Sequence, residues 1–230
     1  MNVIEYALYR ELIPAHREAK ILEAIQICRY HDILNELKAA SSNDALDSNP
    51  YHNYYHTCCM IVNADAAVNW YNRDPRNILI DIASHQELLI ACIFHDIGHT
   101  AGQYNDTVNI AKAMGAALNA TFYPHIRKSE VLNLIAVTEF PFIRKPTTLT
   151  QQIIRDCDLL QVLEPDWAEM IFVGLYTELK NNPKFHDLTP RAFFKLQVEF
   201  LHSAEFFTEW FDKTKRTQWS DVLQRLEESR

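Results

Sequence analysis

The residues best suited to chemistry lie where the most apolar stretch of the chain ends. His95 and Asp96 directly follow the run from Leu88 to Phe94. An imidazole and a carboxylate delivered into or beside a core need a partner, because an unpaired buried polar group is costly. Gly98 and Gly102 come soon after. Glycines this close to a helix end indicate tight turning of the backbone or close approach of another segment.

Two further groups of polar residues could share a site with His95 and Asp96. His52 and His56 are four residues apart, so on a helix they lie on one face, one turn from each other. Asp156 and Asp158 interrupt an apolar helical segment. These two acids point about 200° apart on a helix, so at most one of them can face a shared site. Helical geometry alone does not choose between them.

Imidazoles and carboxylates on three separate helices form a mixed set of nitrogen and oxygen ligands. Such a set suits Zn, Fe or Mn at one position and Mg or Mn at a neighbouring position rich in oxygen. An aspartate next to a metal-binding histidine can bridge two ions. The sequence therefore predicts a centre for two divalent metal ions.

The elements that must position these residues are all predicted to be helices. Apolar residues recur three and four positions apart along nearly the whole chain, which is the helical period. Asn49-Pro50, the capping-box pattern Ser84 to Glu87, and Thr189-Pro190 are each typical of a helix start. The pattern predicts an all-α protein of eight or nine helices, at about 16–40, 51–72, 85–96, 107–120, 128–139, 149–163, 166–181, 190–213 and 217–229.

Composition restricts the domain organisation and the function. The 230 residues are 48% apolar and 23% charged, and no linker-like stretch interrupts them, so we expect one domain over 1–230. The net charge is −8 and lysines and arginines do not cluster, which argues against binding to duplex nucleic acid. The chain has four glycines and neither a GxGxxG nor a P-loop motif, which argues against a backbone cradle for nucleotide phosphates.

Cysteine usage and hydropathy favour a cytoplasmic location. The five cysteines lack a CxxC motif and mostly lie in apolar helical runs, as expected for reduced core residues. No apolar stretch is long enough to span a bilayer, so we expect no membrane segment.

The order H…HD…D on an all-α chain resembles the HD-domain superfamily of metal-dependent phosphohydrolases. Within it, the segment from about 50 to 211 is most similar to class I cyclic-nucleotide phosphodiesterases. Tyr51-His52-Asn53-xx-His56 resembles their YHNxxH motif, and His95-Asp96-xx-His99-xx-Gly102 resembles HDxxHxG with the glycine one place later. Cys157-Asp158-Leu159 resembles Cys-Ala-Asp-Leu with one residue fewer, which favours Asp158 over Asp156. A mutation of Asp156 is accordingly expected to be mild.

The resemblance also implies a role for each matching residue. His56, His95, Asp96 and Asp158 would bind the first metal ion, and Asp96 would be shared with the second ion, so that a hydroxide between the ions attacks phosphorus. His52 would act as the general acid. His99 and Thr138 would hold water ligands of the second ion. Gln197 and Phe200 would bind the base of a nucleotide.

The resemblance implies hydrolysis of 3′,5′-cyclic nucleotides to 5′-monophosphates, with a small nucleotide as the substrate. Three alternatives stay open: a nucleoside monophosphate phosphatase, a di-iron oxygenase and a non-catalytic regulator that binds nucleotides. An oxygenase would need extra histidines on the second iron, for which His99 and His125 are the candidates. Gln197 and Phe200 could also be purely structural, with Phe200 in a core stripe.

Overall fold

The structure, a computed structural model, describes residues 3–28, 49–99 and 105–229, with side chains from residue 15 onward. The described residues form eleven α-helices, two 3₁₀ turns, one π-helical turn and no β-strand, which confirms the predicted all-α class. Gly102 lies outside the described residues. The α-helices are α1 (Val3–Ile27), α2 (Tyr54–Arg73), α3 (Ile82–Phe94), α4 (Asp106–Asn119), α5 (Lys128–Ala136), α6 (Leu149–Asp158), α7 (Trp167–Glu169), α8 (Tyr176–Lys180), α9 (Pro190–Ser203), α10 (Glu209–Thr214) and α11 (Arg216–Glu228).

Two helices begin at other residues than the sequence predicted. The N-cap of α2 is Asn53, whose side chain accepts a hydrogen bond from the His56 N–H, so the helix begins after Asn49-Pro50. The N-cap of α3 is Asp81, which accepts from the Ser84 N–H at 2.7 Å. Both side chains satisfy N–H groups that the first turn of a helix leaves free. The predicted start at Thr189-Pro190 is confirmed.

The prediction of a single helix over 190–213 is wrong, because the residues between α9 and α10 are not helical. The cause is a tertiary interaction. The carboxylate of Asp156 on α6 accepts hydrogen bonds from the backbone N–H groups of Phe207 and Thr208, both at 2.9 Å, and from the Thr208 hydroxyl at 2.6 Å. Local helical period cannot reveal a distant acceptor of this kind.

The centre of the fold is formed by α2, α3 and α6, which contact one another pairwise. The apolar residues on their facing sides, including Met60, Ile90 and Ile153, are almost completely buried. α1 packs against α2, and Arg17 on α1 contacts the buried carboxylate of Asp166 at 2.6 Å. None of the described helices has both the length and the apolar character required to cross a membrane.

A glycine brings a fourth helical segment close to this centre. Between α7 and α8 the chain makes a π-helical turn, Met170–Leu175, of the kind often found at functional sites. A Cβ atom on Gly174 would lie 2.7 Å from the carbonyl oxygen of Pro50, so only glycine permits this approach. The segment after the π-helical turn is therefore held against the start of the His52 region.

Asp156 is expected to be important for stability, in contrast to the mild effect predicted from sequence. Its side chain is fully buried, and Asp156→Ala would leave up to three donors without their partner. Orphaned buried donors cost about 1–3 kcal/mol, so we expect the free energy of unfolding to fall by about that amount. Urea denaturation measures it. The exposed Asp221→Ala on α11 is the control, and equal stability of the two variants would contradict the interpretation.

Candidate metal centre

The four residues predicted to bind the first metal ion lie together. His56 is in the first turn of α2, His95 is the C-cap of α3 with Asp96 after it, and Asp158 is the last residue of α6. One ligand atom from each lies within 4.8 Å of all the others. The structure thus brings Asp158 and not Asp156 to this group, since Asp156 faces the opposite side of α6, toward Phe207 and Thr208.

The spacing of these atoms is that of ligands around one ion. His95 Nε2 lies 2.9 Å from Asp96 Oδ2 and 3.5 Å from Asp158 Oδ1, and His56 Nε2 lies 3.3 and 3.4 Å from the same two oxygens. With metal–ligand bonds of about 2.0–2.2 Å, ligand atoms at octahedral or tetrahedral angles are separated by about 2.8–3.6 Å. The geometry fits a divalent metal ion.

The ligand atoms do not satisfy one another. His56 Nε2, His95 Nε2 and Asp96 Oδ2 are buried and make no hydrogen bond with acceptable geometry, despite their short separations. Buried polar atoms are normally paired, and those that are not require an explanation. A cation at the point where these atoms converge would satisfy all three.

The other ring nitrogens fix which atoms face the centre. His95 Nδ1 donates to the carbonyl oxygen of Cys92 at 2.9 Å, and His56 Nδ1 lies 3.4 Å from Gln161 Oε1. Because each Nδ1 atom has its own partner, the Nε2 atom of each ring is directed toward the centre. The outer partners of metal-binding histidines orient their rings in the same way. Gln161, buried on the 3₁₀ turn Leu160–Leu163, was not predicted from sequence.

In the protein without metal, the charges of this group are strongly coupled. Burial alone would lower the pKa of His56, but the facing Asp158 and Asp96 carboxylates outweigh it and raise that pKa to about 9. Burial would raise the pKa of Asp158, whereas His56 and His95 hold it at about 2. The facing carboxylates thus raise the pKa of both His56 and His95, and a metal ion that binds both rings must displace any proton they hold.

A second group that could hold an ion shares Asp96 with the first. It consists of His52, Asp96 and His99, all buried. The rings of His52 and His99 are stacked with centroids 4.0 Å apart, and His99 Nε2 lies 3.2 Å from Asp106 Oδ1. Burial and the neighbouring His52 lower the pKa of His99, which keeps its ring neutral and able to bind a cation. The sequence predicted that a second ion would share Asp96; the nearby Asp106 was missed.

The turn that carries Asp96 and His99 is held by Asn109 on α4. Asn109 accepts a hydrogen bond from the Gly98 N–H at 3.0 Å and donates to the carbonyl oxygen of His95 at 3.0 Å. A Cβ atom on Gly98 would lie 2.4 Å from the carbonyl oxygen of Asn109, so the close approach predicted for this glycine is confirmed. Asn109 is buried and was not predicted, since eleven residues separate it from Gly98.

His52 is held by a carboxylate on α8. Its Nδ1 lies 2.6 Å from Glu178 Oε2, while Glu178 Oε1 accepts from the backbone N–H groups of Tyr51 at 2.5 Å and His52 at 2.9 Å. Burial opposes the charged ring, but Glu178 and Asp96 together raise the pKa of His52. Gly174 makes this contact possible, because it brings α8 close to Pro50. Glu178 lies 126 residues from His52 and has no sequence signal of its own.

A pocket with a volume of about 400 Å³ adjoins both groups of ligands. Three more residues to which the resemblance assigned a role, Thr138, Gln197 and Phe200, line it together with His52, Asp96 and Asp158. Thr138 donates its hydroxyl to the Ile135 carbonyl oxygen at 2.8 Å, which leaves its lone pairs available to the pocket. Phe200 packs against Phe140, with ring centroids 5.7 Å apart.

His125, the other histidine considered for an oxygenase, is elsewhere. Its Nε2 contacts Gln86 Oε1 at 2.5 Å and its ring stacks on Tyr123.

Comparisons with protein-family models, with curated proteins and with solved structures gave no match for this chain. What the site defines is an all-helical domain with two buried His/Asp groups that can hold metal ions.

Asp96→Ala is expected to remove both metal ions, because one carboxylate belongs to both groups. Loss of an outer partner of a metal ligand already weakens binding about 10–100-fold, so we expect loss of this ligand to exceed about 100-fold. Elemental analysis after dialysis against buffer measures the ions per chain. Asp187→Ala, in the exposed pair His186-Asp187, is the matched control and should keep its metal. Retention of both ions by the Asp96 variant would refute the assignment.

Metal affinity is expected to keep rising between pH 7.5 and 8.5. A ligand with a pKa raised to about 9 is protonated below that pH, so a metal ion must displace its proton. Affinity should increase up to about tenfold per pH unit for each proton released. A histidine of ordinary pKa would give no further rise in this range. Titration of Mn²⁺ against a competing chelator at several pH values measures the slope, and a flat profile would contradict the charge assignment.

Proposed function

We propose that this chain is a metal-dependent phosphohydrolase with an HD-type helical core, and that it converts 3′,5′-cyclic nucleotides to 5′-monophosphates. The observation that carries the proposal is that the buried Asp96 belongs to both groups of metal ligands at one side of a pocket. A carboxylate shared by two ions is typical of centres that clamp a phosphoryl group for in-line displacement. The order of His56, His95, Asp96 and Asp158, and the resemblance it carries, agree with this activity.

Two bound divalent ions would neutralise the phosphoryl oxygens and lower the pKa of a water molecule toward neutrality. The chain itself supplies the ligands in fixed orientations, through the Cys92 carbonyl, Gln161 and Asn109. The hydroxyl of Thr138 and the ring of His99 line the same pocket, where they can orient water or an ion beside Asp96.

His52 is the general acid in this proposal, so the second ion would be held by Asp96 and by water molecules beside His99 and Thr138, without His52 as a ligand. Glu178 holds its Nδ1 at 2.6 Å and stabilises the imidazolium, so a proton on Nε2 is available to the departing 3′ oxygen. His52 lines the pocket beside Asp96, where such a proton would be needed. Glu178 is a positioning residue, because its contacts are with Tyr51 and His52 and it is absent from the pocket wall.

Gln197 and Phe200 bind the base in this proposal. They lie three residues apart on α9 and both line the pocket. The Gln197 amide makes no hydrogen bond within the described part of the chain, so it is available to donate to and accept from a base edge. Phe200, supported by Phe140 and Phe142, offers a ring for stacking.

Metal analysis and a substrate panel test the proposal together. The protein is purified without chelator, its metals are measured, and release of 5′-mononucleotide from cyclic nucleotides is compared with release of phosphate from nucleoside monophosphates. Turnover of the cyclic substrates supports the proposal, and turnover of monophosphates alone identifies the phosphatase instead. Two irons per chain with oxygen consumption would identify an oxygenase. Nucleotide binding without turnover under any metal would identify a regulator.

His52→Ala is expected to lower turnover without loss of metal. A general acid contributes about 10²–10⁴-fold, so kcat should fall within that range while metal content stays near that of the unmodified protein. A substrate with a nitrophenolate leaving group needs no proton and should largely restore the rate. If the variant loses an ion, His52 is a metal ligand, as its place beside Asp96 and His99 would also allow.

Gln197→Ala is expected to impair only substrates that contain a base. Loss of one neutral hydrogen bond costs about 0.5–1.5 kcal/mol, which corresponds to a KM for cyclic nucleotides raised roughly threefold to tenfold. The KM for the base-free bis-nitrophenyl phosphate should change little. The exposed Glu199→Ala on the same helix is the control. Equal changes for both substrates, or none, would show that Gln197 does not bind the base.

A further inference from the structure

The pocket has an apolar wall that the proposed nucleotide does not explain. Ile171, Leu175 and Leu179 line it at intervals of four residues along the π-helical turn and α8. They form one stripe that faces the pocket. Val162 before this segment, and Phe185 and Leu188 after it, extend the same surface. We call these six residues the apolar arm: Val162, Ile171, Leu175, Leu179, Phe185 and Leu188.

The apolar arm offers no side chain that could form a hydrogen bond with a sugar or a base. Its side chains are all hydrocarbon, and Gln197 is the single amide among the described residues that line the pocket. The described lining also contains no lysine or arginine, so a second phosphate or another anionic group would find no partner there. A surface of this kind binds ligands by removing apolar area from water.

The apolar arm is continuous with the candidate metal centre. Asp96 and Asp158 line the same pocket, as do Phe140 and Leu196, whose side chains remain 43% and 47% exposed. A phosphoryl group at the metal ligands and a hydrocarbon group on the arm can therefore belong to one molecule. Exposed apolar residues in the lining suit the entry of such a molecule from water.

We infer that the site also accepts phosphodiesters in which one ester group is a hydrocarbon chain, with this chain on the apolar arm. The inference rests on the proposed phosphohydrolase activity. In the reaction, the oxygen of a water molecule bonds to phosphorus while the bond from phosphorus to the second alcohol breaks. The departing oxygen takes a proton from His52, and a proton released by the water restores His52, so the net change moves one proton from the water to the alcohol. The products are the alkyl phosphate and the free alcohol.

Binding of alkylphosphonates tests the inference without requiring turnover. Methyl-, butyl- and octylphosphonate are titrated into Mn²⁺-loaded protein by calorimetry, below the concentrations at which they form micelles. Burial of each methylene should tighten binding about threefold to fourfold until the arm is filled. An affinity that does not change with chain length overturns the inference, whether or not the protein hydrolyses any ester.

A matched pair of variants places the effect on the arm. Leu188→Gln puts an amide into the half-buried arm, and Val173→Gln makes the same kind of change on the exposed outer side of the π-helical turn. Leu188→Gln should abolish most of the increase in alkylphosphonate affinity with chain length, and Val173→Gln should preserve that increase. Phe185→Gln replaces Leu188→Gln if that variant does not fold. Equal behaviour of arm and outer variants would overturn the assignment.

Hydrolysis of methyl nitrophenyl phosphate separates failure of the inference from failure of the proposed function. If the protein hydrolyses this short ester but its affinity for alkylphosphonates does not depend on chain length, the proposed phosphohydrolase activity is supported. The apolar arm then has no part in its substrate specificity. If the affinity for alkylphosphonates rises with chain length but no ester is hydrolysed with any metal, the proposed function and the hydrolysis of hydrocarbon phosphodiesters are both refuted. In that outcome only the hydrocarbon-binding site is retained.

Discussion

The structure depends on one electrostatic constraint: His56, His95, Asp96 and Asp158 converge, buried, at separations of 2.9–3.5 Å without satisfying one another. Such a group is unfavourable unless protons or a cation compensate it, because burial penalises each charge. The fold holds the ligands in this arrangement because they lie at the ends of helices that contact one another directly. Small shifts of any one helix would separate the atoms, so the packing of the core and the geometry of the site are the same requirement.

Residues outside the ligand set fix this geometry from other elements of the fold. Gln161 orients His56 from the 3₁₀ turn, Asn109 ties the turn after α3 to α4, and Glu178 holds His52 from α8. Asp156, on the side of α6 away from the centre, secures the segment between α9 and α10. The chain thus uses two aspartates on one helix for two different purposes, one toward the candidate metal centre and one toward the fold.

The helical class could be predicted because it depends on local period. The grouping of His56 with His95 and Asp96 could be predicted from the order of these residues along the chain. The supporting residues could not, since a glutamate 126 residues from its histidine leaves no local pattern. The break between α9 and α10 was missed for the same reason: its cause is a carboxylate about fifty residues away. The choice of Asp158 over Asp156 came from the resemblance, because helical geometry left both possible.

The positions of the ligands at helix ends also influence the order in which the site can fill. α3 and α6 end at the candidate metal centre, so their carbonyl termini add partial negative charge to that of the two carboxylates. Without metal, protons compensate this charge, because the facing carboxylates raise the pKa of His56 and of His52. A metal ion that enters the site gains from the same carbonyl termini but must displace protons from its imidazole ligands. Filling of the site therefore begins with the release of protons, and it becomes easier as the pH rises.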